Sequence, residues 1–166
     1  AAAFLISEDG VAVEIEGSKY LTSAFIDTWR LECDKTTRTW EDRFIREQGY
    51  TRVVPEAVST TLKKYNLTAK DFSKAVFYAP DPRRHRDMAR RLGFDAKTQV
   101  QYPPFAEVGN TGAAFAPLML VAALEEAKPG DKLLFANYSD GCDVYVLQVN
   151  DQIEKVRDRR GVKRHL

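Results

Sequence analysis

From Ala113 to Leu124 the chain reads Ala-Ala-Phe-Ala-Pro-Leu-Met-Leu-Val-Ala-Ala-Leu, without one polar side chain. A helix lying on a protein surface keeps a polar stripe toward water, and this run has none. A bilayer span needs about 20 apolar residues, so the run is also too short to cross a membrane. It is therefore expected to be a helix covered by protein on all sides. In a chain of 166 residues, one side of that cover is expected to come from another domain or subunit. Pro117 sits close enough to the start of the run to be accommodated or to kink it. Lys128-Pro129-Gly130-Asp131 ends it sharply.

The rest of the chain supplies elements to pack against such a helix. Residues 1–7 are apolar and precede the turn Glu8-Asp9-Gly10, and residues 11–16 alternate; together they read as two strands joined by a tight turn. In residues 17–39, Phe25, Ile26 and Trp29 suggest one apolar helical face, followed by a polar loop from Cys33. Residues 40–48 read as a short helix closed by Gly49. A second helix is expected over residues 55–65, with Val58 and Leu62 on one stripe and Lys63-Lys64 at the end where cations complement the helix dipole. Ala75-Val76-Phe77-Tyr78 is a compact apolar run, hence a buried strand. Asp81-Pro82 opens a helix with a cap residue and a proline at the first position. That helix runs to about Leu92, with Met88, Ala89 and Leu92 inward and Gly93 as the stop. Residues 99–102 suit a short strand, and residues 133–138 and 144–149 two more around Ser139-Asp140-Gly141. Strands separated by helices imply parallel pairing, and the last tight turn implies one antiparallel pair.

Hydrophobic residues make up 44% and charged residues 30%, ordinary values for a globular domain. A formal net charge of +1 gives no field for recruiting nucleic acid or a membrane surface. Cys33 and Cys142 form no CxxC or Cys/His cluster, which argues for a reducing, cytoplasmic setting without a metal site, although the two remain able to pair. The N-terminal run has no basic segment and ends at Ser7, so it is not a signal peptide. Residues 151–166 carry six Lys/Arg against three Asp/Glu with no core pattern. Both ends are expected to continue into something longer.

Two segments carry a resemblance. Val108-Gly109-Asn110-Thr111-Gly112-Ala113-Ala114-Phe115-Ala116-Pro117 and Ala127-Lys128-Pro129-Gly130-Asp131-Lys132-Leu133-Leu134 resemble the C-terminal half of the thiolase superfamily. The nearest branches are archaeal-type 3-hydroxy-3-methylglutaryl-CoA synthase and the type III ketoacyl-ACP synthases. The resemblance extends back through residues 75–94 and covers most of residues 11–149. It implies an α/β, thiolase-like half-domain: a mixed, mostly parallel five-stranded sheet in the order βαβαβαββ with a buried central helix. Residues 1–10 then look like the last strand and turn of a preceding half, residues 11–150 like the half-domain itself, and residues 151–166 like a basic tail or linker. Arg159-Arg160-Gly161-Val162-Lys163 looks like the approach to a further module, which in several relatives is an acyl-CoA-associated OB-fold with a zinc ribbon.

The resemblance implies Claisen-type carbon–carbon chemistry on acyl-CoA thioesters, with coenzyme A thioester as substrate and no permanently bound cofactor. A cysteine of the N-terminal half takes the acyl group, and the C-terminal half hydrogen-bonds the thioester carbonyl as charge develops on its oxygen. The expected partners are the N-terminal half-domain and, in the full protein, a second copy forming a homodimer. Asn110 matches the family's asparagine at the carbonyl oxygen, and its amide donates without titrating. The backbone at Gly141 matches the glycine-rich segment lining the acyl site. Tyr78 stands where relatives carry the catalytic histidine; a phenol donates a hydrogen bond, but with an ordinary pKa near ~10 it is a poor base. Cys33 has no counterpart in the nucleophile motif. Cys142 falls several residues late for the second cysteine of thiolases, whose place is nearer Asn137. This chain alone is therefore expected to be inactive.

Each site residue has a plainer alternative. Asn110 would merely cap a helix, and Tyr78 would be a core tyrosine with a satisfied hydroxyl. His85 would border the core or reach the site in place of the lost histidine, though a partly exposed helical position is the plainer expectation. Arg83, Arg84, Arg86, Arg90 and Arg91 suit a CoA phosphate, an acidic partner or simply a solvated face. Cys142 is expected to be a small buried hydrophobe. A non-catalytic acyl-CoA-binding or scaffold subunit is the competing function, and nucleic-acid binding through the arginine helix is disfavoured by the near-zero net charge.

Overall fold

A computed structural model describes residues 2–156 and 161–165. The elements follow in chain order as β1 (Val13–Thr22), β2 (Thr28–Trp29), β3 (Arg38–Thr39) and α1 (Asp42–Ile45), which passes through a π turn (Arg46–Tyr50) into α2 (Thr51–Tyr65). Next come β4 (Lys74–Phe77), α3 (Pro82–Leu92), α4 (Phe105–Val108), α5 (Phe115–Glu126), β5 (Lys132–Ser139), β6 (Gly141–Val149) and α6 (Ile153–Val156). Among the described residues no helix is long and apolar enough to cross a membrane.

The expected α/β sheet with a central helix is present, with a different pairing. The main sheet has four strands in the order β1-β6-β5-β4. β5 pairs parallel with β4, while β6 runs antiparallel to both β5 and β1. β1, β4 and β5 therefore share one direction, as strands separated by helices should. The β5–β6 hairpin places the one reversed strand between β1 and β5, so two of the three pairings become antiparallel. The fifth strand expected over residues 99–102 contracts to a single parallel bridge between Val100 and Ala75. There the Ala75 N–H donates to the Gln99 carbonyl at 2.6 Å, and the Gln101 N–H donates to the Ala75 carbonyl at 3.0 Å.

The sheet is covered on both faces, which is why β5 reads as a nearly continuous apolar run rather than an alternation. On one face Val53, Val54, Ala57 and Val58 of α2 and Met88 and Ala89 of α3 pack against Ala75, Phe77, Leu134, Ala136, Val144 and Val146. On the other, Phe115, Ala116, Met119, Leu120 and Ala123 of α5 pack against Val76, Leu133, Leu147 and Val149. Within α5, Phe115, Ala116, Met119, Leu120, Ala122 and Ala123 are buried, while Pro117, Leu118, Val121 and Leu124 are only half-buried. Protein in this chain covers one side of the helix; the opposite side lies partly open. Lys128-Pro129-Gly130-Asp131 docks its end, with the Lys128 N–H donating to the Asp131 carboxylate at 2.7 Å and the Gly130 N–H to the Val149 carbonyl at 2.9 Å.

Several local expectations are corrected. Residues 2–12 form no strand, and Phe4, Leu5 and Ile6 are exposed. β1 begins at Val13 and continues to Thr22, well past the alternating run that marks it. Residues 23–39 hold no helix: Trp29 lies in the short β2–β3 pair, and its ring packs on Trp40 with centroids 4.9 Å apart. The helices expected on either side of Gly49 are one continuous helical rod from Asp42 to Tyr65, with Pro55 inside α2 rather than at its start. The π turn upstream already breaks the regular i→i−4 ladder that a mid-helix proline would disrupt. α3 follows its signals: the Asp81 carboxylate accepts from the Arg84 N–H at 2.9 Å, Pro82 is the first helical residue, and Gly93 closes the helix with φ +81°. In the tail, Ile153 is buried against the α5 layer, a core contact that the basic composition concealed. Arg159 and Arg160 lie outside the described residues.

Candidate functional site

The site is built where β4 and β5 end on the same side of the sheet. The β4–β5 ladder extends one residue beyond β4, because the Tyr78 N–H donates to the Ala136 carbonyl at 3.2 Å. Tyr78 is thus fixed at a strand end, half-buried, with its chain about to turn into the Asp81 cap of α3. Asn110 sits between α4 and the 3-10 turn (Gly112–Ala114) that leads into α5, and it is exposed. Its side-chain oxygen accepts from the Gly112 N–H at 2.9 Å, a local turn of the kind asparagine favours. Its amide nitrogen donates to the Tyr78 hydroxyl oxygen at 3.1 Å and to the Pro80 carbonyl at 3.3 Å. Two of the three residues marked from the sequence therefore meet directly.

Gly141 does not touch them. It opens β6 opposite Thr22, with φ +139° and a Cβ that would fall 2.0 Å from the Leu21 carbonyl oxygen. Its link to the pair runs through Tyr138, three residues earlier in the same hairpin, whose ring stacks on Tyr78 with centroids 6.2 Å apart.

Tyr78 is the centre of an aromatic cage. Tyr50 and Phe115 each meet it edge-to-face at 6.3 Å, and Tyr50 meets Tyr138 edge-to-face at 5.7 Å. Such pairs are worth about 0.5–1.5 kcal/mol beyond their burial and fix ring orientation. The hydroxyls of Tyr50 and Tyr138 are buried without hydrogen-bond partners. Burial raises both phenol pKa values well above the ordinary one, so both rings stay protonated. At Tyr138 the charge of the Asp27 carboxylate adds to the rise. Sequence reasoning missed both tyrosines. The available signal was strand alternation, which places Tyr138 on the face of Leu134 and Ala136.

The remaining candidates are positioned elsewhere. His85 is buried, stacked on Phe77 with centroids 4.7 Å apart, and its Nε2 has no partner. Helical spacing turns it inward beside Met88 and Ala89, which overturns the partly exposed expectation. Burial, with the Arg86 charge second, lowers its pKa to about 4. Arg84 ties Asp81 to Asp42, whereas Arg83, Arg86, Arg90 and Arg91 are exposed. Cys142 is buried and its thiol is pushed up to about 12, chiefly by burial and then by Asp143, so it is no nucleophile at neutral pH. Cys33 is an exposed free thiol. Asn137, near the place of the second thiolase cysteine, keeps its side-chain oxygen buried without a partner. Among the described residues no group of three or more His, Cys, Asp or Glu is arranged to hold a metal ion.

A layered sheet with a central apolar helix, and an asparagine before that helix facing a strand-end residue, define the C-terminal half of a thiolase-type condensing enzyme. Solved structures share the fold. The 3-oxoacyl-[acyl-carrier-protein] synthase III of Aquifex aeolicus superposes on 86% of this chain and 46% of its own with a TM-score of 0.69 at 20% identity. An HMG-CoA synthase complexed with CoA superposes on 86% of this chain and 41% of its own with a TM-score of 0.63 at 14% identity. The sequence pattern described as 3-oxoacyl-[acyl-carrier-protein (ACP)] synthase III C terminal matches residues 62–150, more than half of the chain, and the chain belongs to that family. Among curated relatives, the hydroxymethylglutaryl-CoA synthase of Methanosphaera stadtmanae is 34% identical over 159 residues, 95% of this chain and 46% of the relative. The chain spans about half the length of the curated relatives it matches.

Proposed function

We propose that this chain forms the oxyanion-stabilising side of the thioester site in an acyltransferase of hydroxymethylglutaryl-CoA synthase type. The acyl-accepting cysteine comes from an N-terminal half, and the substrate is a coenzyme A thioester. The observation that carries this reading is the 3.1 Å contact between Asn110 and Tyr78, two positions 32 residues apart that the family resemblance marks independently. An amide and a phenol are neutral hydrogen-bond donors, suited to an oxygen that gains charge during carbon–carbon bond formation. The hairpin backbone at Gly141 lines the acyl side of the same site. In the full-length protein, Tyr78→Phe is expected to lower kcat about 100-fold, the usual cost of one oxyanion donor. Unchanged turnover in both Tyr78→Phe and Asn110→Ala would remove the basis for the site.

One observation favours a second reading. Tyr78 occupies the histidine position, and His85 is locked against Phe77, so no base replaces the lost one among these residues. A non-catalytic acyl-CoA-binding or scaffold subunit needs none. Tyr78→His separates the two: a changed condensation rate supports catalysis, and an unchanged one supports the scaffold. The same proposal includes a homodimer of the full protein, residues 1–10 completing the preceding half, and residues 151–166 leading toward an OB-fold and zinc-ribbon module. Its cytoplasmic setting is supported by two free cysteines.

A further inference from the structure

α3 carries five arginines, and one of them is held differently from its neighbours. Arg83 and Arg90 pair with Asp87 of their own helix, at 4.0 and 3.4 Å, and both are largely exposed. Only 22% of the Arg84 side chain is accessible, and its guanidinium bridges two carboxylates. Its Nη1 donates to Asp81 at 2.7 Å, and its Nη2 donates to Asp42, 42 residues earlier in the chain. A planar guanidinium holds two oxygens at fixed angles, which an ammonium on a flexible stem does not.

Both carboxylates stand at the start of an element that builds the site. Asp42 is the first residue of α1, whose helical rod brings in Tyr50 through the π turn. Asp81 caps α3 and closes the loop that begins at Tyr78. Both acceptors of the Asn110 amide lie in that loop, the Tyr78 hydroxyl at 3.1 Å and the Pro80 carbonyl at 3.3 Å. Burial is the main reason the Tyr50 phenol stays protonated, yet the Asp81 and Arg84 charges also reach it, with opposite sign, which places them beside the cage. The rod has cause to need such a tie. The π turn interrupts its i→i−4 ladder, and the Tyr50 hydroxyl is buried without a hydrogen-bond partner, which opposes tight docking. Ahead of α1, the Thr39 hydroxyl donates to the Asp27 carbonyl at 3.0 Å and the Trp40 indole N–H to the Ile26 carbonyl at 2.9 Å, contacts internal to that segment.

We propose that Asp42, Arg84 and Asp81 form a charge clamp, in which Arg84 is a positioning residue that holds the Tyr78–Asp81 loop against the Tyr50 rod. Arg84 acts on the site through that loop and makes no contact with substrate. This rests on the thioester reading above and adds a means of regulating the same site. The Asp42 side chain is 73% accessible, so salt screens that arm of the clamp while the aromatic cage it serves stays covered.

The test uses the full-length protein and follows release of free coenzyme A from acetyl-CoA, thermal unfolding, and hydrogen exchange resolved by peptide. Asp42→Asn removes one arm and leaves the Asp81 cap intact. An exposed ion pair adds little stability, so the melting temperature should stay within about 3 °C of the unaltered protein. kcat is nevertheless expected to fall about 10-fold with KM unchanged, since misplacing the reacting groups costs rate rather than binding. Arg84→Lys should match Asp42→Asn, because one ammonium does not keep both arms. The double variant should be no worse than either, and Asp42→Glu should restore most of the turnover. Raising NaCl from about 50 to about 500 mM should lower kcat of the unaltered protein toward that of Asp42→Asn and leave the variant flat. Unchanged kcat in both single variants, a loss carried by KM, or a loss that follows a drop in melting temperature would overturn the clamp and leave the site reading standing. No coenzyme A release from the unaltered protein would sink the thioester reading, and hydrogen exchange would then decide the clamp. Faster exchange in Asp42→Asn over both residues 42–50 and 78–84 supports it; no change, or a change confined to residues 42–45, overturns it.

Discussion

His85 carries an imidazole into the layer between α3 and the sheet, where burial holds its pKa at about 4. The unfolded chain binds that proton below about pH 6.5, and the native state refuses it until about pH 4. Stability therefore falls as the pH drops through this window and levels off below it. His85→Phe keeps a ring on Phe77 and removes the titrating group. The variant should retain roughly 2–3 kcal/mol more of its neutral-pH stability at pH 4.5, read from urea unfolding at the two pH values. The inward direction of His85 was legible in its spacing to Met88 and Leu92, but the three arginines that flank it, Arg83, Arg84 and Arg86, pointed the reading toward solvent. Asn110 and Tyr78 were legible through the family resemblance. Their contact was not, because nothing in a sequence measures the distance between a strand end and a turn 32 residues later.

Two elements owe their shape to close approaches at glycine. At Gly49, in the π turn, a Cβ would lie 2.3 Å from the Tyr138 hydroxyl and 3.0 Å from the Phe25 ring. Sequence reading took this glycine as a helix stop, since helix-ending glycines are common and a glycine needed for room looks the same. Gly49→Ala should destabilise the protein by about 1–3 kcal/mol through overpacking, and Tyr138→Phe should relieve part of that cost by removing the clashing atom. Tyr138→Phe alone should shift stability by no more than about 1 kcal/mol, because the buried hydroxyl makes no close hydrogen bond and has only the Asp27 carboxylate acting on it from nearby. Thermal unfolding of the four combinations tests all of this. Gly141 differs in kind: the obstacle is the Leu21 backbone carbonyl, and φ is +139°. Gly141→Ala should lower the melting temperature by several degrees, so lost turnover in that variant would reflect a damaged hairpin as well as any part in the site.

For the whole molecule, strand directions were legible from the helices between them, but the neighbour order was not. Connection chemistry fixes which way a strand points, and the packing of both faces decides who lies beside whom. That is why the mostly parallel expectation met a sheet with β6 reversed between β1 and β5. The apolar run over α5 was legible for a simpler reason, since no polar side chain interrupts it. Leu118, Val121 and Leu124 remain half-exposed along one side of α5, and Phe4, Leu5 and Ile6 are exposed at the start of the chain. If an N-terminal half covers α5, Val121→Lys should leave the stability of the isolated chain within about 1 kcal/mol, while sharply lowering soluble yield of the full-length protein. Equal yield of both full-length forms would argue that nothing covers that side.

The Asn110–Tyr78 contact closes a loop that contains α3, the Val100 bridge and α4. Closing so long a segment costs chain entropy that only non-local packing repays. Helical signal should consequently return early in refolding, whereas the Asn110–Tyr78 contact should form only with the last docking step.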